Sequence, residues 1–325
     1  MLLHGIFPPI TTPFYPGGEV YYKKLEYNVE RYSRTPIAGL VILGSTGEAI
    51  LLNEQERRDV LKCARENAAP EKVLLAGTGN ESAAETLRLT ECAAELGYDV
   101  AMVRTPHYYK SQIERPENML AFYRFVADRS PLPVLLYNFP QATAYDLPAE
   151  VVIALAGHPN IIGLKESSGS LEKLQRMVEG TKHVKRTVKV TETFQALTPR
   201  MKLESVMKVR EKDAGFQILV GAAQKFHELL QAGAAGGILS FADPAPTAMY
   251  EIYAAWKDGD TKLAHEKQQR VVTAASRVGG DLSIPGIKYA CDLNGYYGGP
   301  VRLPLLSLTA EVRAEVERLM ADIKN

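Results

Sequence analysis

Short apolar runs, each closed by a turn rich in glycine, serine, threonine, asparagine or proline, recur along this chain with helical patterns between them. The runs fall at residues 5–12, 38–43, 73–76, 99–103, 134–137, 161–165, 217–220 and 237–241. The helical patterns fall at 21–32, 53–68, 82–96, 116–127, 148–156, 171–178, 224–232 and 246–257. Apolar runs with little polar alternation suit strands covered on both faces, as parallel sheets are. Eight strand–helix pairs therefore predict an α/β chain folded as a (β/α)8 TIM barrel, in preference to an open doubly wound sheet. Local chemistry agrees. Asn53 with Glu56 three residues on forms a capping box, Gly97 suits a helix C-terminus, and Pro116 suits a helix start.

Two stretches depart from the beat. Between Gly180 and Phe216 the chain is polar and basic, including Lys182-His183-Val184-Lys185-Arg186, where a βα unit needs only a short connection. We read an insertion or lid at about 181–212, with a helix over 201–210. Beyond Gly259, helical patterns at 262–278, 287–293 and 310–323 exceed what a barrel needs. The expected organisation is a barrel domain over 1–259 followed by a C-terminal helical extension over 260–325.

Charge excludes some partners. Lys+Arg and Asp+Glu both total 38, so no global field recruits nucleic acid or an anionic membrane. No apolar run is long enough to cross a bilayer, and residues 1–9 lack the features of a targeting leader. Cys63, Cys92 and Cys291 lie far apart with no C-x-x-C spacing, which suits reduced core thiols and no metal site. A cytoplasmic location is the expectation.

Barrels place their working residues at the carboxyl ends of the strands. That rule collects Ser45, Thr46, Tyr108, Tyr137, Lys165, Ser167, Gly221 and Leu239. Lys165 ends the run Ile161-Ile162-Gly163-Leu164, where desolvation opposes its charge and makes the amine a nucleophile for carbonyl carbons. Tyr137 ends the preceding strand and can carry protons beside it. The Ser45–Thr46 turn offers N–H groups and hydroxyls to a carboxylate. Each residue alone also has a plain reading: a snorkelling lysine, a packed tyrosine, an ordinary turn. Their arrival at strand ends in consistent order favours chemistry.

Four motifs carry a resemblance: Gly44-Ser45-Thr46-Gly47-Glu48, Thr105-Pro106-His107-Tyr108, Tyr137-Asn138-Phe139-Pro140 and Gly163-Leu164-Lys165-Glu166. Together they resemble the dihydrodipicolinate synthase/N-acetylneuraminate lyase family of class I pyruvate aldolases, over about 5–305 apart from the 181–212 stretch. Within it the chain looks most like 4-hydroxy-2-oxoglutarate aldolase, on Ile284-Pro285-Gly286-Ile287-Lys288, Gly295-Tyr296-Tyr297-Gly298-Gly299-Pro300 and Lys165-Glu166-Ser167.

The resemblance implies a homotetramer built as a dimer of dimers and a small keto acid held as an imine on Lys165, with no cofactor and no metal. Tyr137 would shuttle protons with Ser45 in the relay, and Tyr108 would reach a neighbouring subunit's site. Thr46 would bind the pyruvate carboxylate, and the backbones of Gly221 and Leu239 would line the pocket. Ser167 is a candidate for the far end of the substrate. The lysine-pathway synthase carries an Arg two residues after the proline of its Tyr-Asn-x-Pro motif; here Pro140-Gln141-Ala142-Thr143 puts Ala142 there. Losing that guanidinium forfeits a strong carboxylate contact, so cleavage of 4-hydroxy-2-oxoglutarate to pyruvate and glyoxylate ranks above condensation with aspartate semialdehyde. A 2-oxo-3-deoxy sugar acid aldolase and a non-catalytic keto-acid-binding barrel are the remaining alternatives. The insertion before Gly221 departs from both branches and leaves the shape of that side of the pocket, and the oligomer, open.

Overall fold

A computed structural model describes residues 2–194 and 206–323. The chain runs β1 (Gly5–Ile6), α1 (Tyr22–Ser33), β2 (Gly39–Ile42), α2 (Glu54–Asn67), β3 (Val73–Gly77), α3 (Ala83–Glu95) and β4 (Val100–Arg104). It continues with α4 (Lys110–Ile113), α5 (Pro116–Arg129), β5 (Val134–Asn138), α6 (Pro140–Thr143), α7 (Ala149–Ala156), β6 (Ile161–Glu166) and α8 (Leu171–Thr181). After the paired strands β7 (Arg186–Phe194) and β8 (Val206–Ala214) come β9 (Gln217–Val220), α9 (Phe226–Gln231), β10 (Gly236–Gly237) and α10 (Pro246–Lys257). The carboxyl-terminal helices are α11 (Thr261–Ala274), a π-helical stretch at Ala275–Asp281, α12 (Ser283–Leu293) and α13 (Ala310–Met320).

Eight parallel strands order as β1-β10-β9-β6-β5-β4-β3-β2. The N–H groups of Ala38 and Val41 donate to the carbonyls of Ile6 and Pro8, each at 2.9 Å, which joins the two ends of that order and closes the barrel. The expected (β/α)8 architecture with C-terminal helices is the observed one. Period-two alternation divides the strand residues between two cores. Val100, Met102, Leu135, Tyr137 and Leu219 fill the barrel interior. Ala101, Val103, Leu136, Leu164 and Ile218 pack outward against helical residues such as Val60, Tyr123, Leu155 and Leu174. Val271, Ile287, Val316 and Met320 of the carboxyl-terminal helices belong to that same outer core, so the extension shares its packing with the barrel.

Helix ends follow their sequence signals. Asn53 accepts from the Glu56 N–H while the Glu56 carboxylate accepts from the Asn53 N–H, the expected capping box. Gly97, just past α3, has φ +81°, a left-handed value that favours glycine. The strand expected at 237–241 is shorter: only Gly236–Gly237 pairs, and Ser240–Ala242 form a 3-10 turn. The chain must leave the sheet there to carry Ser240 over the barrel mouth.

The insertion is a different object from the one expected. β7 and β8 pair antiparallel, with Arg186 opposite Ala214 and Phe194 opposite Val206. Val206–Arg210 is therefore strand where a helix over 201–210 was expected, and residues 201–205 lie outside the described residues. The Arg186 guanidinium donates to the carbonyls of Ile161, Ala156 and His158, which surround the amino-terminal start of β6. The arm thus leaves from the face opposite the strand carboxyl ends. The described root of the arm therefore stands at the far end of the barrel from Gly221, where α8 has returned the chain.

Candidate active site

The strand register places the key side chains. Val134 pairs with Ile161, but Leu135 pairs with Gly163, a shift of one residue in β6. That shift sets Lys165 level with Tyr137, and β4 sets Arg104 level with Tyr137 on the other side. Without it, Leu164 would stand opposite Tyr137 and the lysine would point to the opposite face. On the other side of β6 only glycine fits at 163: a Cβ there would lie 2.1 Å from the Gln217 carbonyl oxygen of β9.

Lys165 is 4% exposed, and its Nζ lies 4.1 Å from the centroid of the Tyr137 ring. Burial pulls the amine down to about 7, against the opposing pull of Asp243. Burial likewise pushes Tyr137 up to about 12, moderated by hydrogen bonds from Ser45 and Ser167 and by the charge of Arg104. The Ser45 Oγ and Tyr137 hydroxyl are 3.1 Å apart. At neutral pH the site therefore offers an amine that is partly free base beside a phenol that keeps its proton. That combination attacks a carbonyl carbon and passes a proton to its oxygen.

The Ser45 turn is rigidly held. Leu43 and Glu48, on either side of Gly44–Gly47, both have positive φ, at 61° and 54°. Such values persist in non-glycine residues only when the surroundings impose them. The Thr12 hydroxyl donates to the Gly47 carbonyl at 2.6 Å. Glu48 is fully buried and ion-paired with Lys288 of α12 at 2.5 Å, and its second oxygen accepts from the Arg302 N–H at 2.8 Å. The carboxyl-terminal extension thus braces the turn that carries Ser45 and Thr46. Behind Lys165, Glu166 points outward and accepts from the Asn138 amide and the Ser168 N–H, fixing the loops that follow β5 and β6.

One open cavity gathers Ser45, Thr46, Tyr137, Lys165, Ser167 and Gly221, as the sequence predicts. Ala142 and Arg104 line it too, and Ser283, Ile284 and Leu305 of the extension form part of its wall. A Cβ on Gly221 would sit 2.2 Å from the Ser167 Oγ, so glycine keeps that hydroxyl in place. Two of the predicted residues are not among those lining the cavity. Leu239 is fully buried in the outer core and does not line the cavity; Ile238 and Ser240 do, because alternation turns Leu239 away from the barrel axis. Tyr108 is 74% exposed, set edge-on against Tyr109 outside the cavity, with its N–H tied to Glu81. The resemblance has its ring act at a neighbouring subunit's site, so its exposure within one chain does not bear against that expectation.

Three features escaped the sequence reading. Arg104 continues the inward period of Val100 and Met102, a signal present but unused. The Glu48–Lys288 pair joins residues 240 positions apart and left no local trace. Asp243 is fully buried, and burial holds it well above the usual carboxylate range against the opposing pull of Lys165 and of the Thr11 N–H. Among the described residues no cluster of His, Cys, Asp and Glu could hold a metal ion, and no helix is long and apolar enough to cross a membrane.

A closed barrel with a desolvated amine at the mouth of its strands is the architecture of a barrel enzyme. Comparison with known proteins makes the assignment narrower. The family model described as the dihydrodipicolinate synthetase family matches two stretches, 2–188 and 183–323, which meet at the start of the inserted arm. The chain belongs to this family, whose members are lyase-type, pyruvate-dependent aldolases and synthases. It is 30% identical to the 4-hydroxy-tetrahydrodipicolinate synthase of Methanothrix thermoacetophila, covering 100% of this chain and 98% of the relative. The synthase of Exiguobacterium sp. is 28% identical over 96% of this chain and 95% of its own. Among solved structures, the prophage protein YagE of E. coli K12, determined in complex with pyruvate, superposes with a TM-score of 0.84 at 27% identity, covering 99% of both chains. A dihydrodipicolinate synthase from Bacillus anthracis shares the fold with a TM-score of 0.85 at 24% identity and full coverage of both chains.

Proposed function

We propose that this protein makes or breaks the carbon–carbon bond between pyruvate and an aldehyde through an imine on Lys165. The free amine adds to the keto carbon, and Tyr137 protonates the departing hydroxide as the carbinolamine loses water. The iminium withdraws electrons from the neighbouring carbon, so an enamine forms when the Tyr137 phenolate takes either a proton from that carbon or the hydroxyl proton of the departing aldehyde. In condensation that enamine attacks the aldehyde carbon; in cleavage it takes up a proton, and water then releases pyruvate. The supporting observation is the Lys165 amine, buried and drawn down to about 7, resting 4.1 Å from the Tyr137 ring.

For the aldehyde, the names of the relatives support aspartate semialdehyde and a 4-hydroxy-tetrahydrodipicolinate synthase activity. A second reading, cleavage of 4-hydroxy-2-oxoglutarate to pyruvate and glyoxylate, is favoured by the short side chain of Ala142 in the cavity wall. Borohydride reduction with pyruvate, followed by peptide mass spectrometry, should find the adduct on Lys165 and none in Lys165→Ala. An adduct-free wild type overturns the imine. Assays with pyruvate plus semialdehyde, and with 4-hydroxy-2-oxoglutarate, then decide between the two substrates by their kcat/KM values.

A further inference from the structure

Arg104 is unused by the reaction so far described, yet it stands in the catalytic cavity. It ends β4 level with Tyr137, which is itself level with Lys165, so the three residues occupy one rung across adjacent strands. Their backbones span two strand spacings, roughly 10 Å from Arg104 to Lys165. Its side chain is 16% exposed and lines the cavity beside Tyr137. One edge of the guanidinium is held: Nη1 meets Glu81 at 2.9 Å and the Thr105 carbonyl at 3.1 Å. Nε and Nη2 make no hydrogen bond among the described residues. Glu81 is anchored in turn by the N–H groups of His107 and Tyr108, each at 3.0 Å, so the held edge is fixed in direction. A second guanidinium, Arg57, faces the same corner beside Ser45 and adds positive field.

We propose that the free edge of Arg104 binds the carboxylate of the aldehyde fragment, the end of the substrate remote from the Lys165 imine. A guanidinium tethered on one side and open on the other is preorganised for a carboxylate. Its place on β4 replaces the cation missing at Ala142, and the small Ala142 side chain leaves the intervening space clear. The substrate class is thereby an aldehyde bearing its own carboxylate, which both glyoxylate and aspartate semialdehyde satisfy and polyhydroxy aldehydes do not. This inference rests on the imine reading above, and its test keeps the two apart.

Arg104→Gln and Arg104→Lys would be compared with wild type on two substrates that differ only at the far end: 4-hydroxy-2-oxoglutarate and 4-hydroxy-2-oxopentanoate. Condensation of pyruvate with glyoxylate and with acetaldehyde supplies the matched pair for the synthetic direction. Arg104→Gln should lower kcat/KM on the carboxylate-bearing partner by about 10²–10³-fold, as expected for one lost charge-assisted pair, and on the neutral partner by less than about threefold. Arg104→Lys should fall between. Borohydride trapping of pyruvate on Lys165 should be unchanged in both variants, which also shows that the site is folded. Equal losses on both partners, with trapping intact, overturn the role of Arg104. Failure of trapping in the wild type overturns the imine reading instead.

Discussion

The Glu48–Lys288 pair allows a sharp test of how the extension supports the site. Both side chains are essentially buried, the ion pair is 2.5 Å long, and Lys288 also donates to the Pro300 carbonyl at 2.7 Å. At an effective dielectric of about 20 the mutual attraction is roughly 6–7 kcal/mol, set against desolvation of several kcal/mol per ion. The net worth of the pair is therefore small, whereas removing one member strands the other. Glu48→Gln keeps the shape and the acceptor for the Arg302 N–H but leaves the ammonium unpaired. The expected loss is about 3–5 kcal/mol. With an unfolding entropy of about 2.1 cal/mol/K per residue, this lowers Tm by about 4–7 °C for a chain of this length. Differential scanning calorimetry on the wild type, Glu48→Gln, Lys288→Met and the double variant measures it. The double variant, with no stranded charge, should regain at least half of the single-variant loss. A single variant within about 1 °C of wild type, or a double variant whose losses simply add, would refute the reasoning.

Other outcomes follow from the same geometry. Because the Lys165 amine is reactive only as free base and titrates near 7, the rate of pyruvate trapping should rise with pH through about 7 and flatten above it; an inflection above pH 9 would mean that burial does not act on this amine. Tyr137→Phe removes the proton carrier while keeping the ring under Nζ, so kcat should fall by about 10²–10⁴-fold with little change in KM, read by steady-state kinetics. Ser45→Ala loses one hydrogen bond to the phenol, and a smaller fall of about 2–10-fold is expected. Gly163→Ala forces a Cβ toward the Gln217 carbonyl and should cost at least about 1–3 kcal/mol in urea unfolding. Replacing residues 188–212 by a short turn should leave kcat/KM within about threefold, since the arm departs from the face away from the site; a large loss would return it to the catalytic end.

Sequence alone determined the alternation of strands and helices, and with it the barrel, because buried parallel strands and amphipathic helices have different periods that survive in a linear string. It also determined which strand ends bear Lys165, Tyr137, Ser45 and Thr46, since position at a strand terminus is a local property. Three matters belonged to the tertiary structure. The one-residue shift at Val134/Leu135 sets which β6 residue stands level with Tyr137, and pairing between strands is invisible within either one. Leu239 turns its side chain into the outer core while Ile238 faces the barrel interior for a related reason: a single step along extended chain reverses the face, and only the fold says which face is inside. The arm between α8 and β9 reads as a polar insertion from any side. Its attachment to the start of β6 through Arg186, which sets it opposite the site, depends on contacts between residues 25 to 30 positions apart in the chain. Long-range pairing fixes orientation, and orientation is what a string of residue types does not carry.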